Sequence, residues 1–185
     1  GASEDSASDY ARSKAAGETA VRAAFPAATI LRPSVVFGQE DQFFNRFANL
    51  ARYTLILPLI GGGRTKFQPV FVGDVAQAVA AALETPASAG QTYELGGPEV
   101  LSFREVLELI VRITGRRRLF VALPFALAKL GAYPAALLPN PPLTPDQVDL
   151  LKTDNVVADG AKGLADLGVA AEAAEAILPT YLWRF

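Results

Sequence analysis

The chain has 185 residues, half of them hydrophobic, and a net charge of −2, so it can bury one sizeable core and shows no broad basic field for nucleic acid. It contains no Cys and no His, which removes disulfides, thiolate nucleophiles, Ser-His-Asp triads and an ordinary zinc site. Proton chemistry here falls to Tyr, Lys or carboxylates.

Residues 1–8 are small, polar and acidic, with Ser3, Ser6 and Ser8 suited to a loop or a helix cap. These residues are not expected to act as a signal peptide, since they contain no apolar run. A helix is predicted from Asp9 to about Ala24, stopped by Phe25-Pro26, with Val21, Ala24 and Phe25 continuing its apolar stripe. Within it, Tyr10 and Lys14 stand one turn apart on one face. A cation beside a phenol favours phenolate, so the pair can give and take a proton, and Lys14 can also bond a ribose hydroxyl. Ala28–Leu31 reads as a buried strand closed by Arg32-Pro33, apolar enough for a parallel sheet covered on both faces. Ser34 after it reads from the residues as capping a simple strand exit.

Gln42–Leu50 is a predicted helix with Phe43, Phe44, Phe47 and Leu50 on one side, read as core. Leu55–Ile60 is a short apolar run ending in Gly61-Gly62-Gly63. Beside Arg64 and Lys66 the glycines invite a phosphate loop but lack the G-x-x-x-x-G-K-[ST] frame, so they are expected as a flexible loop on the substrate side. Gln68–Val72 is the next strand, and Asp74 is expected to cap a helix from Val75 to Leu83. Thr92–Leu95 is a strand, and Ser102-x-x-Glu105 a capping box opening a helix to Thr114 with Gly115 as its stop. Arg116-Arg117-Arg118 is expected as a solvated cluster past that helix end.

Leu119–Leu138 has the length of a bilayer span, but Pro124, Lys129, Gly131 and Pro134 interrupt it. It reads as a strand, Leu119–Ala122, followed by one or two helices from about Pro124, so no transmembrane span is predicted. After Pro139-Asn140-Pro141-Pro142, Thr144-Pro145-x-Gln147 opens another helix. Asp154–Val157 is expected to be extended, Gly163–Gly168 a helical turn, Glu172 to about Leu178 a final helix, and Pro179–Trp183 an apolar tail.

Tyr10-x-x-x-Lys14 before a Pro-bounded strand, then Arg32-Pro33-Ser34-Val35-Val36-Phe37-Gly38, then Val70-Phe71-Val72-Gly73-Asp74-Val75-Ala76, resembles the extended short-chain dehydrogenase/reductase superfamily. Ala24-Phe25-Pro26, Arg32-Pro33-Ser34-Val35-Val36-Phe37-Gly38-Gln39-Glu40-Asp41 and the tail Ile177–Phe185 most resemble its atypical branch, which holds the NADPH-binding accessory subunit of respiratory complex I and bacterial relatives. The resemblance implies an α/β fold: the C-terminal portion of an NAD(P)-binding Rossmann-like unit, lacking the N-terminal glycine-rich half. The absence of Met, even at position 1, fits a start upstream of Gly1. Residues 1–185 are expected to form a single unit, with about 1–38 closing the dinucleotide-binding sheet and about 39–185 forming the substrate side and a helical region.

On that resemblance, Tyr10 and Lys14 are the catalytic pair. Cofactor contacts fall to Tyr10, Lys14, Pro33, Ser34, Val35 and Val36, with no metal. The expected cofactor is NADP(H), with NAD(H) as the other option. The expected function is an accessory or assembly-type subunit of complex I with a mainly structural cofactor. It would sit with peripheral-arm subunits at the inner face of the bacterial inner membrane, or the matrix side in a mitochondrion. An active oxidoreductase or epimerase using Tyr10 as acid and base is the alternative. Sugar-nucleotide epimerases of the superfamily carry an Arg where this chain reads Phe67-Gln68-Pro69, which weakens that substrate class unless Arg64 or Lys66 compensates.

Overall fold

The computed structural model describes residues 2–137, 139 and 143–185, so most of the Pro139–Pro142 break lies outside the described residues. Helix α1 (Asp9–Ala24) starts where Ser8 caps it, the Ser8 hydroxyl oxygen accepting the Ala11 N–H. The expected apolar stripe is not the face it buries. Ala11 and Ala15 are buried, whereas Val21 and Phe25 are exposed. Small side chains let α1 come close to α6 (Pro145–Leu150), whose Asp146 accepts hydrogen bonds from the Ser8 hydroxyl at 3.0 Å and the Asp9 N–H at 2.9 Å. Hydrophobicity marked the larger residues, but close packing selected the alanines.

Strand β1 (Ile30–Pro33) runs parallel to β6 (Thr92–Leu95), with Ile30 opposite Thr92. Strand β2 (Val36–Phe37) runs parallel to β5 (Val70–Phe71). Between β5 and β6 in the chain lies α3 (Val72–Glu84), part of the long connection from β1 to its parallel partner β6. Leu31 packs on a small core of Val70, Ala78, Tyr93 and Leu95. Ile30 and Leu31 are half-buried, so within these residues the strand is covered only in part.

A larger core gathers around α2 (Phe44–Tyr53), α4 (Phe103–Ile113) and a second parallel pair, β3 (Ile56–Ile60) with β8 (Leu119–Leu123). Both ends of this core have clear local causes. Asp41 accepts the Phe43 and Phe44 amides at 2.9 and 2.5 Å, starting α2, and Ser102 with Glu105 forms the expected capping box of α4. Strands β4 (Lys66–Phe67) and β7 (Leu101–Ser102) pair antiparallel beside it. Gly61–Gly63 is a tight turn rather than a flexible substrate-side loop. All three glycines have φ between 60° and 75°, and a Cβ on Gly61 would fall 2.2 Å from the Phe125 ring.

Three further expectations need correction. Helix α3 begins at Val72, and Asp74 does not cap it: fully buried in the first turn, Asp74 accepts the Glu172 N–H at 2.8 Å. The arginine cluster is not simply solvated. Arg116 donates to the Phe185 carbonyl and the Arg118 Nε donates to the Ala51 carbonyl at 2.6 Å. The apolar tail is helical, α7 (Ala174–Ile177) running into α8 (Pro179–Leu182), because Leu178, Tyr181 and Leu182 are buried in the larger core. Helix α5 (Phe125–Ala135) tolerates Pro134 in its last turn. No helix among the described residues is long and apolar enough to cross a membrane. The extended segment at Asp154–Val157 is present, Asn155 bridging Phe67 in parallel.

Candidate functional site

Helix α1 is clamped at two levels, which fixes the residues it displays. At its start Asp146 holds Ser8 and Asp9. In its third turn the Glu18 carboxylate receives the Arg32 guanidinium in a two-pronged bond, Nε to Oε1 at 2.9 Å and NH2 to Oε2 at 2.6 Å. Hydrogen bonding from Arg32 holds Glu18 below the usual carboxylate range, and the same bond raises Arg32. Glu94 of β6 approaches the same guanidinium at 3.5 Å. Tyr10 and Lys14 therefore stand on a helix tied directly to the end of β1.

Tyr10 is 55% exposed, and the Lys14 Nζ lies 5.3 Å from its ring centroid. The ammonium sits over the aromatic face, a cation–π contact across one helical turn. Tyr10 lines a cavity of about 660 Å³. Val35 and Val36 line it too, so the structure brings these three predicted residues together. Lys14 is not part of the lining. Neither are Pro33 and Ser34: the Ser34 N–H donates to the Leu95 carbonyl at 2.9 Å and its hydroxyl to the Asn155 carbonyl at 2.8 Å. Of the four expected contact residues, Val35 and Val36 are in the cavity lining and Pro33 and Ser34 are not, Ser34 being bonded to Leu95 and Asn155.

The sequence reading missed most of the remaining wall. Phe43 and Phe47, expected as core, are half-buried and face the cavity with Phe67, while Phe44 alone of the α2 aromatics is fully buried. Their three- and four-residue spacing was legible; which of them stayed open was not. Leu143, Leu150 and Leu151 also line it. Asp149 also lines the cavity, gripped by the Lys129 and Lys152 ammonium groups at 2.5 and 2.6 Å. Those bonds, Lys129 first, hold its carboxyl below the usual range. Arg64 and Lys66 do not line the cavity. A shallower groove of about 850 Å³, bordered by Gln39, Asp41, Tyr53 and Arg184, holds none of the predicted residues.

Residues 4–154 match the family described as RmlD substrate binding domain. The NADH dehydrogenase [ubiquinone] 1 alpha subcomplex subunit 9, mitochondrial, of Arabidopsis thaliana is 44% identical over 90% of this chain. The Rattus norvegicus protein of the same name is 38% identical over 91%. The chain spans 44% and 45% of the length of these two relatives. Among solved structures, UDP-glucose 4-epimerase from Bifidobacterium longum, in complex with NAD+ and UDP, superposes with a TM-score of 0.64 over 97% of this chain and 54% of its own. At 18% identity that likeness is one of fold, an α/β Rossmann-like arrangement. The chain belongs to the RmlD substrate-binding-domain family, as an atypical extended short-chain dehydrogenase/reductase related to the alpha subcomplex subunit 9 of complex I.

Proposed function

We propose that this chain is part of a nicotinamide-dinucleotide-binding accessory subunit of respiratory complex I, in which the cofactor is mainly structural. The 44% identity to the Arabidopsis complex I subunit over nine-tenths of the chain carries the reading. In it the protein sits with peripheral-arm subunits, at the inner face of the bacterial inner membrane or the mitochondrial matrix side. NADP(H) is the proposed cofactor and NAD(H) the alternative. The donor set suits such a ligand. The Tyr10 hydroxyl and Lys14 ammonium can bond a ribose diol, and Val35 and Val36 can cover a nicotinamide ring at the cavity wall. The two clamps on α1, one to α6 through Asp146 and one to β1 through Arg32, fix the helix that carries this pair and so favour stable retention.

The cofactor supplies hydride chemistry when bound. An active oxidoreductase or epimerase keeps the same residues: Tyr10 gives or takes the proton of a substrate oxygen in the cavity, with Lys14 beside it. Its specific support is that Tyr10 lines a cavity of small-molecule size. The experiment that divides the two is Tyr10→Phe in the full-length protein. The accessory reading expects normal incorporation into complex I and no carbonyl turnover to lose. A steep loss of turnover on a carbonyl substrate supports the enzyme.

A further inference from the structure

The parallel pair of β3 with β8 has two outer edges, and they are not alike. The Leu119 N–H donates to the Leu55 carbonyl at 2.9 Å, and Ile56 stands opposite Leu119. Alternation along a strand then turns the backbone groups of Leu119, Val121 and Leu123 toward β3 and those of Phe120 and Ala122 away from it. On β3 the groups turned away belong to Ile56, Pro58 and Ile60. Pro58 has no N–H to offer, so the centre of that edge is closed to a further strand. Nothing comparable guards β8, which reads Leu119-Phe120-Val121-Ala122-Leu123 without a charge, a proline or a glycine. Leu119 is 68% and Val121 48% exposed, and among the described residues no strand other than β3 pairs with β8. A bare apolar edge of this kind accepts an added strand.

Charge says what kind of strand it accepts. Residues 42–73 and 109–145, which contain β3 and β8, hold nine of the 17 Lys and Arg residues and none of the 19 Asp and Glu. Three of these cations gather at the start of β8. Arg117 and Arg118 lead directly into the strand, and the Arg118 Nε bond to the Ala51 carbonyl at 2.6 Å brings it beside Arg52. Arg52 and Arg117 are exposed, and among the described residues no carboxylate pairs with any of the three. A second copy pairing through β8 would bring the same arginines and no carboxylate from this stretch. The core of a bilayer would leave the outward N–H and C=O groups of β8 without partners. An acidic peptide satisfies both the backbone and the charge.

We infer that the outer edge of β8 is a docking site for an extended, acidic segment of another protein, which adds as a third strand and sets its carboxylates against Arg52, Arg117 and Arg118. This uses no residue of the Tyr10 cavity and does not depend on membership of complex I, so it goes beyond the function proposed above.

The test is fluorescence anisotropy of labelled peptides on the purified full-length protein. The probe is three glutamates followed by alternating valine and threonine. One control carries lysines in place of the glutamates, and the other is N-methylated throughout the valine–threonine part. Saturable binding of the probe is expected, with each control about tenfold weaker or more, because one loses the ion pairs and the other the ladder hydrogen bonds. In the protein, Ala122→Pro removes an outward donor without breaking a bond to β3, and Arg117→Glu reverses an exposed charge. Each weakens the probe about tenfold or more at unchanged melting temperature, and if one variant fails to fold the other decides. No saturable binding, equal binding of either control, or a folded variant that binds like the wild type overturns the inference. So does a wild-type dimer that Ala122→Pro converts to monomer in sedimentation velocity, which assigns the edge to a second copy. Displacement of the probe by phosphatidylglycerol vesicles also overturns it and assigns the surface to a membrane.

Discussion

Arg32, near the end of β1, and Glu18, in the third turn of α1, meet through two parallel hydrogen bonds of 2.9 and 2.6 Å. This fork ties the Tyr10 helix to β1. Glu18 keeps 19% of its side-chain surface and Arg32 35%, so the pair is partly shielded from water.

Glu18→Gln is expected to cost about 1–2 kcal/mol at pH 7, toward the lower end because water reaches the Arg32 side chain. The sign of the pH dependence follows from the depressed Glu18 pKa. Its contribution is complete above the ordinary glutamate value of 4.5 and is lost as pH falls through the lower folded value. Urea unfolding of both proteins between pH 7 and about pH 3 should show the two stabilities converging in acid. A gap that stays constant would mean that the fork contributes by packing alone.

Asp41 joins two distant parts of the chain, and its loss should exceed that of an ordinary cap. It accepts the Phe43 and Phe44 amides and, on its other oxygen, the Tyr181 hydroxyl at 2.7 Å. Burial, then Asp41, raises the Tyr181 phenol well above its ordinary value, so Tyr181 remains a donor. Asp41→Ala is expected to cost about 2–3 kcal/mol and Tyr181→Phe about 1 kcal/mol, read by urea unfolding at pH 7. Equal losses would show that the α2 cap contributes little.

Two glycine substitutions should move stability in opposite directions. Gly61→Ala forces a side chain into φ +60° and against the Phe125 ring, at a cost of roughly 2–4 kcal/mol. Gly17, within α1, has open space at its Cβ, so Gly17→Ala should stabilise by about 0.4–1 kcal/mol. Melting curves of the two variants check both signs.

Local signals in the sequence were readable, and long-range ones were not. Ser102 with Glu105 and Thr144 with Gln147 each complete a capping box within four residues, and both boxes form. The bounds of α1 follow in the same way from Ser8 and from Phe25-Pro26. The partner of Asp74 lies 98 residues away at Glu172, and no local pattern announces it. Arg116 and Arg118 look like surface charges until Phe185 and Ala51 supply the carbonyls they bind. The site shows the same division. Tyr10 and Lys14 came from one helical turn, whereas the cavity wall is assembled from residues far apart in the chain, such as Phe67 and Leu150, that meet only in the fold.

The central claim is that this chain serves complex I by holding a cofactor, with Tyr10 as a contact rather than turnover machinery. The most direct measurement is quantitative co-purification of tagged full-length protein with complex I, wild type against Tyr10→Phe, with retained nicotinamide dinucleotide assayed in each preparation. The account predicts that both proteins are recovered equimolar with the complex, that the wild type carries a nicotinamide dinucleotide, and that the variant retains less of it. Absence of the wild-type protein from complex I, or its recovery there without any nicotinamide dinucleotide, would contradict the account.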